Sequence, residues 1–136
     1  MSGADAGSGT VEDVTVRAVV VDDHPVVRDG LVAMLGADPG IEVVGSAEDG
    51  SEGLRLIERT DPDIVLMDLR MPGTGGTEAI RRLRSRDRER PRVLVLTTYD
   101  TDRDIRGALE AGADGFLLKD ARREDVLRAV HDLTAG

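Results

Sequence analysis

The chain has 136 residues, 40% of them apolar and 33% charged, a size and balance suited to one globular domain. Its 18 basic and 27 acidic residues leave a net charge of −9, the wrong sign for a surface that grips nucleic-acid phosphates. With no cysteine there is neither a disulfide framework nor a thiolate metal site, and no apolar run approaches the ~20 residues that span a bilayer, so a cytoplasmic location is expected.

Residues 1–14 are small, polar and acidic without periodicity, and read as a disordered arm or a cloning leader, with the folded domain over 15–136. Val16–Val21 is a β-branched strand running into Asp22-Asp23. His24-Pro25 opens a helix, with Pro at a permitted first-turn position and Val26, Val27, Gly30, Leu31 and Met34 on its inner face. After the turn Asp38-Pro39-Gly40, Ile41–Ala47 is a second strand, followed by a helix over about 51–59 that buries Leu54 and Ile57. Asp61-Pro62 breaks that helix before Ile64–Met67, an unalternating apolar run that suits a strand covered on both faces. It ends on Asp68.

A Pro/Gly loop follows, then a helix over about 77–85 burying Ala79, Ile80 and Leu83. Its tail, Arg81 to Arg92, holds seven arginines; interleaved acids and the lack of aromatics make this a solvated helix end rather than a phosphate patch. Val93–Leu96 is a fourth strand, ending on Thr97-Thr98-Tyr99. Thr101 and Asp104 form a capping-box pattern for a helix reaching about Ala111, with Ile105, Ala108 and Leu109 inward. Phe116–Leu118 is a short fifth strand that ends on Lys119, the only lysine in the chain. Asp120 is placed to cap a last helix carrying Val126, Leu127, Val130 and Leu133 on one face. Five strands alternating with five helices predict an α/β fold, a doubly wound parallel sheet; of the orders such sheets adopt, the flavodoxin-like 2-1-3-4-5 is the one expected.

In that order, every strand but the second delivers a polar side chain to the carboxyl edge, where open α/β sheets bind ligands. Asp22, Asp23 and Asp68 converge at the switch point, with Thr97 and Lys119 opposite. Clustered carboxylates repel unless a cation sits among them, and an all-oxygen set describes Mg²⁺ (or Mn²⁺) rather than Zn²⁺. Lys119 and the Thr97 hydroxyl could hold two oxygens of a tetrahedral anion. The set is suited to placing a phosphoryl group on Asp68 by in-line attack. His24 reads as the start of the first helix, not as a ligand or base.

The residues Val21-Asp22-Asp23-His24, Met67–Pro72, Leu96-Thr97-Thr98 and Leu118-Lys119 resemble the response-regulator receiver domains of bacterial two-component signalling. The resemblance covers residues 15 to about 134. It implies that Asp68 accepts a phosphoryl group from a sensor histidine kinase and that Asp23, Asp68 and the backbone carbonyl of Arg70 ligate Mg²⁺, with Asp22 acting through water. It further implies that Lys119 pairs with the phosphoryl oxygens, that Thr97 swings to bond one of them, and that Phe116 is the aromatic switch residue. Arg70 and Tyr99 would border the path of the hydrolytic water and set the lifetime of the aspartyl phosphate. Many receivers have a cis proline after the lysine. Here Asp120 follows, and a cis bond before a non-proline residue costs ~2.5–4 kcal/mol, so a trans bond and a locally different loop are expected.

Asp-His-Pro after the first strand, Arg70-Met71-Pro72, Thr98-Tyr99-Asp100 and Leu118-Lys119-Asp120 are similar to NarL-type regulators, which carry a LuxR-like helix-turn-helix domain after the receiver. That implies a phosphorylation switch rather than a turnover enzyme, homodimerisation on phosphorylation, and DNA contact through a further C-terminal domain. Three other readings fit the residues less well. An FMN-binding flavodoxin-like domain wants ring-stacking residues, and the Gly73–Gly76 loop has no aromatic beside it. A haloacid-dehalogenase-type phosphatase wants an acid where Arg70 stands. A degenerate receiver, regulated without phosphorylation, for instance by a small ligand, has no need for the full set Asp22, Asp23, Asp68, Thr97 and Lys119.

Overall fold

The computed structural model describes residues 15–85, 89–98 and 102–135. The elements are β1 (Val16–Val21), α1 (Pro25–Gly36), β2 (Ile41–Ala47), α2 (Gly50–Thr60), β3 (Ile64–Asp68), α3 (Gly76–Arg84), β4 (Arg92–Thr97), α4 (Asp102–Ala111), β5 (Gly115–Leu118) and α5 (Arg123–Ala135). The strands form one parallel sheet in the order β2-β1-β3-β4-β5, the doubly wound arrangement expected from the alternation of elements.

Successive residues of each strand point to opposite faces, and two cores follow. Val19, Val21, Val65, Met67, Val93 and Val95 pack under α2, α3 and α4 through Leu56, Ile57, Ile80, Leu83 and Ala108. Ala18, Val20, Ile64, Leu66, Leu94 and Leu96 pack under α1 and α5 through Leu35, Val126 and Val130. The three central strands are therefore apolar without alternation because both their faces are covered.

Four expectations are corrected. In α1 the buried residue is Leu35, supported by Leu31, Val32 and Met34; Val26 is 85% exposed and Gly30 lies on the outside. The first turn of α1 starts at the sheet's carboxyl edge, above the apolar layer that its later turns cover. In α2 the fully buried pair is Leu56 and Ile57, while Leu54 is half-buried. Leu56 gains its depth from Gly45 on β2, where any Cβ would stand 2.9 Å from the leucine's Cδ1. Leu109 is 44% exposed, α4 covering the sheet through Ile105 and Ala108 instead. Asp120 does not cap α5: it is exposed in a turn closed by the bond from Ala121 N–H to the Leu118 carbonyl, and the helix starts at Arg123. The Thr101 capping pattern lies outside the described residues. The Lys119–Asp120 peptide is trans, as expected from its cost in the cis form.

The arginine-rich tail of α3 divides in two. Arg81 and Arg82 lie in solvent and pair with Glu78 on their own helix. Arg84 turns inward, donating to the carbonyls of Gly112 (3.0 Å) and Pro91 (2.9 Å) and to Asp114 Oδ2 (2.8 Å), and so ties α3 to the segments that lead into β4 and β5.

Candidate functional site

Three polar side chains are buried among the described residues, Asp22 (1% exposed), Asp68 (4%) and Thr97 (1%), and all stand at the carboxyl edge of the sheet. Asp22 and Asp68 arrive there because β1 and β3 are neighbours, paired Val21 to Met67. Thr97 is the last residue of β4, whose Leu96 is level with Asp68. Lys119 follows β5, and its N–H donates to the Thr97 carbonyl at 2.9 Å, which continues the strand pairing and swings the side chain over the edge. The loop after β3 is held by Gly76, whose N–H donates to the Leu69 carbonyl at 3.0 Å. A Cβ at this glycine would fall 2.2 Å from the Asp68 carbonyl oxygen, so no larger residue fits against the backbone that carries Asp68.

The Lys119 ammonium lies 2.8 Å from Asp22 Oδ2 and 3.2 Å from Asp68 Oδ2. His24 Nδ1 lies 3.1 Å from both Asp22 Oδ1 and Asp23 Oδ1, and 3.9 Å from Asp68 Oδ2. Asp22 is further fixed as an Asx turn by the His24 N–H at 2.9 Å, and Arg28 holds the Asp22 carbonyl at 2.8 Å. Burial pushes the Asp68 carboxyl above the ordinary aspartate range; Lys119 pulls it back and the Asp22 charge adds to the rise. Burial draws Lys119 down, but Asp22 and Asp68 together outweigh it and raise its proton affinity. The two groups move upward for different reasons, Asp68 because it is buried and Lys119 because two carboxylates face it.

Asp22 Oδ2, Asp23 Oδ1 and Asp68 Oδ2 are buried without an aligned hydrogen bond. Lys119 makes charge contacts to two of them, Asp22 Oδ2 and Asp68 Oδ2. Asp22, Asp23, His24 and Asp68 each offer a ligand atom within 4.8 Å of one another. Carboxylate oxygens left in this state, close enough to share one ion, fit a small hard cation.

The sequence profile of the response regulator receiver domain matches residues 18–131, a span that contains every one of these side chains. The chain belongs to the response-regulator receiver family. It is 42% identical over 118 residues to the nitrate/nitrite response regulator protein NarL of Escherichia coli (strain K12), the match covering 87% of this chain and 54% of that one. It is 41% identical over 121 residues to the transcriptional regulatory protein LiaR of Bacillus subtilis (strain 168), covering 89% and 57%. The solved signal receiver domain of the Mycobacterium tuberculosis response regulator NarL superposes with a TM-score of 0.85 at 42% identity, covering 90% of this chain and 98% of that structure. This receiver thus spans about half the length of the curated relatives it matches.

Phe116 is 41% exposed on the edge strand β5, opposite Val95, and is not a core residue. Arg70 keeps its N–H 3.4 Å from Asp68 Oδ1, while its guanidinium reaches Asp104 on α4 at 2.5 Å. Tyr99 lies outside the described residues. Sequence reasoning missed Arg28 and Asp104, since one is an ordinary helix arginine by pattern and the other is accounted for as a first-turn acid. Among the described residues no helix is long and apolar enough to cross a membrane.

Proposed function

We propose that this receiver takes a phosphoryl group from the phosphohistidine of a sensor kinase onto Asp68, and that the acyl phosphate switches homodimerisation and transcriptional output. One observation carries the reading: a buried strand-end carboxylate, Asp68, with an ammonium 3.2 Å from its Oδ2 and two further carboxylates beside it. Asp22, Asp23, Asp68 and the Arg70 carbonyl would hold Mg²⁺, or Mn²⁺, which when bound neutralises phosphoryl oxygens and the carboxylate cluster.

The chain's own groups do the rest. An Asp68 oxygen attacks phosphorus; the O–P bond forms as the P–N bond to the donor imidazole breaks, and the imidazole keeps the electron pair. Lys119, held charged by Asp22, compensates the oxygens that carry the transferred charge. Its stem and the edge of the sheet limit water at Asp68, which is only 4% exposed. Thr97, one strand away and buried, supplies a hydroxyl that can bond a phosphoryl oxygen and so convey the modified state to α4. Phe116, exposed on β5, is the aromatic that would move with it. Arg70 and Tyr99 would set how long the phosphoryl group lasts. A DNA-binding domain C-terminal to this receiver in the whole protein, and a cytoplasmic setting, complete the reading; the transcriptional name of the LiaR relative supports it.

Intact mass after incubation with Mg²⁺ and acetyl phosphate tests the proposal. The expected result is one added phosphoryl group, absent in Asp68→Asn and without Mg²⁺. Labelling of Asp68→Asn as well, or none of the wild type, would overturn it.

A further inference from the structure

Arg70 joins two parts of the molecule that share no strand. Its backbone belongs to the loop after β3, with its N–H directed at Asp68 Oδ1. Its guanidinium crosses to Asp104, the third residue of α4, thirty-four positions later in the chain. A first-turn acid needs no special role to be favoured, since it lies at the positive end of the helix dipole. That accounts for Asp104 but not for the choice of Arg70 as its partner. The cation nearest in sequence to the phosphoacceptor is held by a carboxylate on another element.

Phosphorylation of Asp68 would place about two negative charges two residues from Arg70. A guanidinium prefers paired oxygens of this kind and binds phosphate in the same forked geometry as carboxylate. Asp104 and the phosphoryl group are therefore rival anions for one cation. We infer that Asp104 is a positioning residue for the lifetime of the aspartyl phosphate: it restrains Arg70 from covering the phosphoryl oxygens and ties the start of α4 to the phosphoacceptor loop. Hydrolysis requires water to add its oxygen to phosphorus as the acyl O–P bond breaks, releasing the Asp68 carboxylate and orthophosphate, with a water proton passing to the phosphate. An arginine lying on the phosphoryl oxygens obstructs that approach. The inference rests on the phosphoacceptor reading given above.

The ion pair is half in solvent, with side-chain exposures of 60% for Arg70 and 32% for Asp104, so its loss produces a modest change. The test uses the full chain, phosphorylated with acetyl phosphate and Mg²⁺, desalted, and followed by intact mass as the label decays. Asp104→Asn is expected to lengthen the lifetime about two- to fivefold, the range an exposed ion pair can supply. Asp104→Glu, which keeps the charge, should restore a near wild-type lifetime. In an Arg70→Ala background Asp104→Asn should change nothing further, which a purely structural role for Asp104 would not produce. A wild-type lifetime in Asp104→Asn, or a lengthening that persists without Arg70, overturns the inference while every variant still takes up label. Failure of the wild type to take up label removes the phosphoacceptor reading and the inference together.

Discussion

Replacing Arg84 by methionine separates the structural arginine from its solvated neighbours. The Arg84 side chain is 16% exposed and donates hydrogen bonds to the carbonyls of Pro91 and Gly112 and to Asp114. Asp114 in turn accepts the N–H of Val93, the first buried residue of β4, at 2.8 Å. Hydrogen bonds from a charged donor contribute about 1.5–3 kcal/mol each. They are not additive, and methionine keeps the apolar stem that fills the space beside Gly112, so we expect a net loss of about 3 kcal/mol. For a domain of this length that lowers the melting midpoint by roughly 10 °C. Urea denaturation by circular dichroism, with the slope checked for constancy, is the assay. Arg82→Met on the same helix serves as the control: its partner Glu78 is exposed, and the midpoint should stay within error of wild type. Equal midpoints for the two variants would refute the assignment of Arg84 as a clamp. A double-mutant cycle of Arg84→Met with Asp114→Asn should return a coupling of about 1–3 kcal/mol; additive losses would count against the pairing.

Two further outcomes follow from the charge cluster and from the α1–β2 turn. In metal-free buffer Asp68→Asn should stabilise the domain at pH 7, because it removes a charge whose burial is opposed. Asp68 binds its proton more tightly folded than unfolded, so its stability penalty is full at high pH and fades as pH falls through the raised value toward 3.8. Chemical denaturation at pH 7 and near pH 4 should show the gain shrinking with acidity, and a variant less stable than wild type at pH 7 would contradict it. Asp38 has the opposite sign: the N–H of Gly40 at 2.7 Å, then His131 on α5, hold its carboxyl below 3.8. Its contribution is present above that pH and lost as pH falls through the depressed value. Asp38→Ala should therefore cost about 1 kcal/mol at neutral pH, and wild type and variant should converge in acid; a constant difference down to the acid limit would refute the pairing.

The strand-end residues Asp22, Asp23, Asp68, Thr97 and Lys119 could be read from the sequence because each terminates an apolar run or directly follows one. Alternation of runs and helices forces the strands to be parallel, and parallel strands put all those ends on one edge. The depth of Ile80, Leu83, Val126 and Val130 follows from the same periodicity, whereas the strand order and the division of the helices between the two faces are set by the crossovers. Pattern failed where a side chain's surroundings come from distant segments. Val26 and Leu109 have the spacing of core residues but meet no apolar layer, the first above the sheet edge and the second past the side of α4 that packs. Arg84 and Arg82 are indistinguishable as letters; only the approach of residues 91, 112 and 114 makes one a buried clamp. Likewise Asp104 satisfies a local helix rule, and nothing nearby in the chain announces that Arg70 reaches it. Local periodicity determines which elements form and which ends carry chemistry, since it acts within one strand or helix. Pairings between side chains dozens of residues apart depend on how the crossovers bring loops together, and only the folded molecule decides them.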